Sequence, residues 1–361
     1  MKREGNILLY PLSLFYSAIT SFRNFLFDNG IFRSHAFDVP VICVGNIAAG
    51  GTGKTPHCEY LINLLRKDYH VAVLSRGYKR KTRGFIFVRP AMRPVEAGDE
   101  PLQMAAKFQD VVFAVDGDRV HGIATILEEK NDTRVIILDD GYQHRSVKPG
   151  LSIVLTDYSN IFLHDHHLPY GNLRESAAGI SRADILIVTK TPAATTADER
   201  KKLAAELSTV SDRPLFFTSL CYGDPVKVFN TPAAENQGFG KGMPGEMEIL
   251  LVTGIARAGT LLKYLGEMGA RVNHLSYPDH HNFAQGDIDR ITSEFSKLSS
   301  PRKLLITTEK DAVRLREFTN IAEPLRESMF YIPVRISFFD EEQHKFNNLI
   351  LEYVRENKRN S

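Results

Sequence analysis

Short apolar runs recur along the chain at residues 71–74, 111–115, 135–138, 151–155 and 185–188, unbroken enough to be strands buried on both faces. Between them lie helix-like stretches such as residues 56–67, where Tyr60, Leu61, Leu64 and Leu65 supply one apolar face. This alternation predicts an α/β fold built on a parallel sheet flanked by helices, over residues 36–222. Further strands at 249–252 and 304–307, with a helix over 259–269 closed by glycine, predict a second, smaller α/β lobe over 223–330. Residues 232–245 are rich in Gly, Pro and polar residues and read as an exposed loop. The β-rich runs 216–221 and 330–338 flank the second lobe, so they are expected to pair as a two-stranded hinge, with residues 331–361 giving the hinge strand and a C-terminal helix. Closure about that hinge would swing His280 toward Asp99.

Residues 1–35 follow a different pattern. Leu8, Leu12, Phe15, Ile19, Phe22 and Leu26 recur at spacings of four and three, one stripe of an amphipathic helix that Asn29-Gly30 would end. Ser13, Ser17, Thr20, Ser21, Arg23 and Asn24 interrupt it too often for a bilayer span. Two readings stay open: a helix lying on a membrane surface, led by Lys2 and Arg3, or a helix whose apolar stripe packs on the protein's own core.

The strand-like stretch before residue 47 runs into Ala48-Ala49-Gly50-Gly51-Thr52-Gly53-Lys54-Thr55. Glycines there let backbone N–H groups turn inward around a polyphosphate, Lys54 would reach the β- and γ-phosphates, and the Thr55 hydroxyl would ligate Mg²⁺ at a helix N-terminus. Ala48 stands where the strict pattern has its first glycine. The run 135–138 leads into Asp139-Asp140, the form of a strand whose terminal carboxylate faces the nucleotide's Mg²⁺. Two adjacent carboxylates cannot both point the same way, so one is expected on the metal and the other behind it or on the substrate. Arg76 and Tyr78, Asp116 and Arg119, and Thr189-Lys190 follow other strands, where ligands collect in such sheets.

Composition narrows the class. A net charge of +2 argues against a general grip on nucleic acid. Three cysteines, Cys43, Cys58 and Cys221, have no paired spacing and fit a reducing compartment. His164-Asp165-His166-His167 and Asp279-His280-His281 invite a transition-metal reading, but the companion aspartates of such sites are not recognisable.

The motifs AAGGTGKT, SRGY, GDEP, DDGYQH, LPYGNLRE, YPDHHNF and TTEKDAVRL occur together and in order, and with them the chain resembles the tetraacyldisaccharide 4'-kinase family, the lipid A kinases of Gram-negative bacteria. That resemblance spans nearly the whole chain. It implies a two-lobed P-loop kinase that uses ATP and Mg²⁺ to phosphorylate the 4'-hydroxyl of a tetraacylated glucosamine disaccharide 1-phosphate, forming lipid IVA. It also implies peripheral attachment to the cytoplasmic face of the inner membrane; the residues point to no nucleic-acid partner and make no obligate protein partner evident. Asp99 is then the candidate base, partnered by a histidine of Asp279-His280-His281, with His280 favoured. Gly98-Asp99-Glu100-Pro101 also reads as a helix start, so Asp99 has an N-cap role as its bland alternative. Arg76, Arg119 and Arg174 suit phosphate, each with a surface ion pair as the ordinary alternative, while Tyr78, Gln143, His144, Asn172 and Glu175 would contact the sugar. A membrane-associating ATPase switch is the other class, but its signature lysine position holds Ala49, and Thr189-Lys190-Thr191-Pro192 lacks the aspartate of a GTPase. A P-loop kinase of another small-molecule hydroxyl remains the nearest alternative.

Overall fold

The computed structural model describes residues 7–229, 247–256 and 258–357; the expected loop at 232–245 lies outside them. The chain divides into two compact units. Met1–Pro90, Met104–Leu220 and Ile336–Ser361 form the first, Ala91–Gln103 and Cys221–Arg335 the second.

The first unit is built on β1 (Val41–Asn46), β2 (Val71–Ser75), β3 (Ile86–Phe87), β4 (Val112–Val115), β5 (Val135–Asp139), β6 (Leu151–Asp157), β7 (Ile185–Thr189) and β8 (Leu215–Tyr222), joined by the late strand β14 (Val334–Phe338). The sheet order is β14-β8-β7-β6-β1-β5-β2-β4-β3, and β1 pairs in parallel with both β5 and β6. Every residue of β1, β2, β5 and β7 is buried, as the unbroken apolar runs require. Its helices are α1 (Tyr10–Asp28), α2 (Lys54–Leu65), α5 (Arg119–Glu129), α6 (Ala197–Ser208) and α11 (Glu342–Glu356), with α3 (Pro94–Ala97) belonging to the second unit and α4 (Asp99–Lys107) running from the second unit into the first.

The second unit carries β9 (Val226–Lys227), β10 (Glu248–Thr253), β11 (Arg271–Ser276), β12 (Lys303–Thr308) and β13 (Met329–Ile332) in the order β11-β10-β12-β13-β9, with α7 (Gly259–Glu267), α8 (Gln285–Ser296), α9 (Glu309–Leu315) and α10 (Glu323–Glu327). Alternate residues of β10 enter different cores: Ile249 and Leu251 join one, Leu250 and Val252 the other. A sheet covered on both faces follows.

Three features differ from the sequence reading. The run 330–338 is not one strand, because Pro333 has no N–H and ends the pairing; β13 belongs to the second sheet, and β14 lies beside β8 in the first. Residues 91–103, read as part of the first domain, cluster with the second unit. Asp99 therefore shares a unit with His280, and no hinge closure is needed to bring them together.

Helix α1 is inverted relative to an ordinary surface helix. Its one fully buried residue is Ser13, while Leu12, Phe15 and Phe22 are 56, 67 and 63% exposed. The polar residues that interrupt the apolar stripe do the docking. Ser13 donates to the His167 carbonyl at 2.7 Å, Tyr16 to the Arg174 carbonyl at 3.1 Å, Asn24 to Glu175 Oε2 at 3.2 Å and Arg23 to the Gln143 carbonyl at 2.9 Å. The reading in which the stripe packs on the protein's own core is thereby set aside. Among the described residues no helix is long and apolar enough to cross a membrane.

Candidate active site

The loop after β1 has the backbone that a phosphate cradle needs. Gly50 and Gly53 hold φ angles of +116° and +84°, a region that side chains disfavour, and nothing stands within 4 Å of where a Cβ on Gly50 or Gly51 would be. Gly53 is the N-cap of α2 and offers no side-chain cap, so the helix's first N–H groups are left to another acceptor. The loop is tied down at its carbonyls and flanks. Ala49 N–H donates to the Asn172 carbonyl at 2.6 Å, Asn46 Nδ2 to Thr52 Oγ1 at 3.0 Å and Thr189 Oγ1 to the Thr52 carbonyl at 2.9 Å. Lys190 donates to the Gly51 carbonyl and is paired with Asp157 at 2.9 Å. Lys190 is among the strand-end residues that the sequence offers, whereas Asn46 and Asp157 carry no signal in the sequence beyond their place at strand ends.

Lys54 Nζ lies 3.4 Å from Asn46 Oδ1 and 3.5 Å from Asp140 Oδ1. Arg174 Nη1 approaches both Asp140 oxygens, at 3.1 and 3.2 Å. Burial alone would raise the Asp140 carboxyl, but the Lys54 and Arg174 charges hold it below its ordinary value. Asp140 has φ +52°, the left-handed turn that aims its side chain away from that of Asp139. Asp139 is wholly buried and accepts the Cys58 thiol at 3.7 Å, and burial with this charge pushes that thiol well up. The structure thus separates the two carboxylates: Asp140 faces the loop lysine and Asp139 lies within the core.

Several expected acceptor contacts are already occupied. Arg119 is 1% exposed, with Nη1 donating to the Asp116 and Gly117 carbonyls and with Nε and Nη2 buried without a hydrogen-bond partner among the described residues, so burial keeps its fork from an acceptor; burial also pushes it down to about 10. Glu175 is buried too, accepting from Arg182, from Gln143 Nε2 at 3.0 Å and from Asn24. Gln143 also donates to the Asn46 carbonyl at 2.6 Å, and Asn172 Nδ2 donates to Asp165 at 2.9 Å. These three position the loop and its neighbours. Arg76 and Tyr78 remain exposed after β2, and His144 is held down at about 4 by burial and by the charges of Arg119 and Arg76.

In the second unit Asp99 opens α4, and its carboxylate bonds to side chains rather than capping the helix. Arg314 of α9 grips both oxygens, through Nε to Oδ1 at 2.9 Å and through Nη2 to Oδ2, while His280 Nδ1 lies 3.3 Å from Oδ2. Burial opposes the charge, yet the bonds from His280 and Arg314 and the nearby cations push Asp99 down to about 2. His281 is engaged elsewhere, 2.9 Å from Asp287 and stacked on Tyr277. Of the two histidines, His280 is therefore the one on Asp99. Its backbone φ is +59°, uncommon for a non-glycine residue, and its N–H donates to the Gly254 carbonyl at 3.0 Å. Asp311 braces that turn from below, accepting Gly254 N–H at 2.8 Å and Thr308 Oγ1 at 2.6 Å.

A family model described as Tetraacyldisaccharide-1-P 4'-kinase matches residues 5–355. The chain belongs to that family. It is 46% identical to the tetraacyldisaccharide 4'-kinase of Bacteroides thetaiotaomicron over 358 residues, covering 98% of this chain and 94% of the relative. Identity to the Phocaeicola vulgatus relative of the same name is 45%, covering 99% of both chains. The fold is similar to a crystal structure of LpxK from Aquifex aeolicus in complex with ATP, with a TM-score of 0.73 and 31% identity over 96% of this chain and 98% of that one. The ATPase-switch reading lapses with membership of this kinase family.

The depressed Asp99 carboxyl has a consequence for stability. A carboxyl lowered from 3.8 toward about 2 stabilises the fold above pH 3.8 and loses that contribution as pH falls through 2. Arg314→Met strands a buried charge, which costs roughly 3–5 kcal/mol. Urea unfolding is expected to show a large difference between wild type and Arg314→Met at pH 7 that shrinks at pH 3, where the stranded carboxyl protonates. An equal difference at both pH values would contradict the ion pair.

Proposed function

We propose that this chain transfers the γ-phosphate of ATP to the 4'-hydroxyl of a tetraacylated glucosamine disaccharide 1-phosphate, giving lipid IVA. Family membership carries the reading, and the residues of each unit fit it. The left-handed glycines, the uncapped start of α2 and Lys54 suit a polyphosphate. Mg²⁺ suits a site of one or two carboxylates plus phosphates; Thr55 in the first turn of α2 and Asp140 beside Lys54 would hold it, with Asp139 behind. When bound, the ion supplies charge neutralisation on the β- and γ-phosphate oxygens. Lys54 and Arg174 add fixed positive charge around Asp140, and Arg76 and Tyr78, exposed after β2, would meet the acceptor.

The acceptor hydroxyl must lose a proton as its oxygen bonds to phosphorus. Asp99, with both oxygens bonded and its carboxyl near 2, is a poor proton sink. It serves better as a fixed anion that orients His280 and steadies the positive charge the ring acquires; His280 is the group that takes the proton. The division of labour resembles the aspartate–histidine half of a hydrolase triad.

Helix α1 supports peripheral attachment to a membrane surface, which in this reading is the cytoplasmic face of the inner membrane, where an acylated acceptor would be met. Its exposed Leu, Ile and Phe side chains gain nothing in water, and at roughly 1.5–3 kcal/mol per buried side chain several together give firm interfacial binding.

Incubation with γ-labelled ATP and tetraacyl disaccharide 1-phosphate in detergent tests the reaction: label is expected on the 4'-oxygen, and Lys54→Ala is expected to lower kcat at least 100-fold. Release of label only as inorganic phosphate, or normal turnover by Lys54→Ala, would contradict the assignment. For the membrane reading, Phe15→Ser with Phe22→Ser is expected to weaken partition onto anionic vesicles about 10-fold or more, with the thermal midpoint within a few degrees of wild type. Unchanged partition would exclude α1 as the anchoring surface.

A further inference from the structure

Lys310 lies one turn before Arg314 on α9, and the two side chains address the two members of the Asp99–His280 pair separately. Lys310 Nζ is 3.0 Å from His280 Nε2 and 3.5 Å from Glu100 Oε1, the carboxylate next in sequence to Asp99. Building on the proposed transfer, we propose that Lys310 is a positioning residue of that reaction: it holds His280 with the ring hydrogen on Nδ1 and the lone pair on Nε2, and moves onto Glu100 when the acceptor hydroxyl takes its place.

The donor inventory carries the argument. An ammonium has three hydrogens to give and no lone pair, so Nε2 accepts and the ring's own hydrogen is on Nδ1. There Asp99 Oδ2, 3.3 Å away, is the acceptor. Arg314 Nη2 also lies 3.3 Å from Nδ1, but it too is only a donor, and its hydrogen goes to Asp99 Oδ2 in the closer contact. The left-handed backbone at His280, pinned by Gly254, places the residue, and the tautomer is held from both sides, by Asp99 accepting at Nδ1 and Lys310 donating at Nε2. A ring with its hydrogen on Nε2 would point no lone pair outward and could take no proton from an acceptor.

The second position of Lys310 follows from the chemistry. As the acceptor oxygen bonds to the γ-phosphorus, the bond from that phosphorus to the ADP oxygen breaks, its electron pair leaves with ADP, and the hydroxyl proton moves to Nε2. The ring then carries a positive charge, and a second cation 3 Å away would oppose it. Glu100 offers the ammonium an alternative partner, so departure of Lys310 and arrival of the proton favour one another.

The test uses the full chain in detergent. Nitrogen NMR of the ¹⁵N-histidine-labelled wild type is expected to show His280 with its hydrogen on Nδ1; a hydrogen on Nε2 would overturn the proposal without any variant. Lys310→Met is expected to lower kcat about 10-fold or more, part of the 10²- to 10⁴-fold of general-base catalysis, with the KM for ATP within twofold of wild type and signal from the other tautomer. Lys310→Arg should recover most of the kcat and the Nδ1–H form. Wild-type kcat in Lys310→Met, alongside an inactive His280→Ala, would refute the role of Lys310 alone, whereas an active His280→Ala would refute the proton-transfer reading on which it rests.

Discussion

A buried or half-buried carboxylate keeps its charge most readily where the protein supplies partners for its oxygens, and both units are arranged around that requirement. In the first unit Asp140 draws Lys54 and Arg174 toward the mouth of the glycine loop, and Glu175 behind them takes Arg182, Gln143 and Asn24. Gln143 passes the constraint on to the Asn46 carbonyl, and Asn46 to Thr52 and Lys54. In the second unit Asp99 takes Arg314 and His280. The pairing holds the Asp140 and Asp99 carboxyls below their ordinary values, so the first unit presents a fixed electrostatic frame for phosphate and the second an oriented imidazole.

The same requirement accounts for the inverted helix. Asn24 completes Glu175, and Arg23 and Tyr16 satisfy the carbonyls of Gln143 and Arg174, so the polar side of α1 is needed against the protein. Its apolar side is then left outward, with Leu12, Phe15, Ile19 and Phe22 all exposed and Ile7 and Leu8 exposed in the turn just before it. Surface so apolar and contiguous on one helix marks a site of interaction rather than ordinary surface. In the proposed reading, the helix that meets the lipid surface is hydrogen-bonded to residues that frame the phosphate loop.

Much of this was legible in the residues. Strands buried on both faces write themselves as unbroken apolar runs, and the glycines at 50 and 53 announce a loop with positive φ. The stripe on α1 was readable, but periodicity does not say which side meets the protein, and a helix with a polar inner face defeats the usual assumption. Arg119 follows a strand end as an exposed arginine would, and only the packing of α5 on β2 and β4 shows it buried. Adjacent Asp139 and Asp140, and adjacent His280 and His281, are separable only by backbone turns at Asp140 and His280 that no local pattern encodes. The clustering of residues 91–103 with a unit that begins at Cys221 is long-range and invisible to a reading along the chain. Lys310 and Arg314 stood inside a recognised motif, yet their roles depend on which carboxylate and which ring nitrogen they meet.

The account stands on Asp99 and His280 acting as one unit. Residues that share a single step give non-additive losses, so kcat of Asp99→Ala, His280→Ala and the double variant, each checked for ATP binding, tests it most directly. Each single variant is expected to lose on the order of 10²- to 10⁴-fold, and the double variant to be scarcely worse than the poorer single one. Losses that multiply would mean that the two residues do separate work, and the proton acceptor would then lie elsewhere.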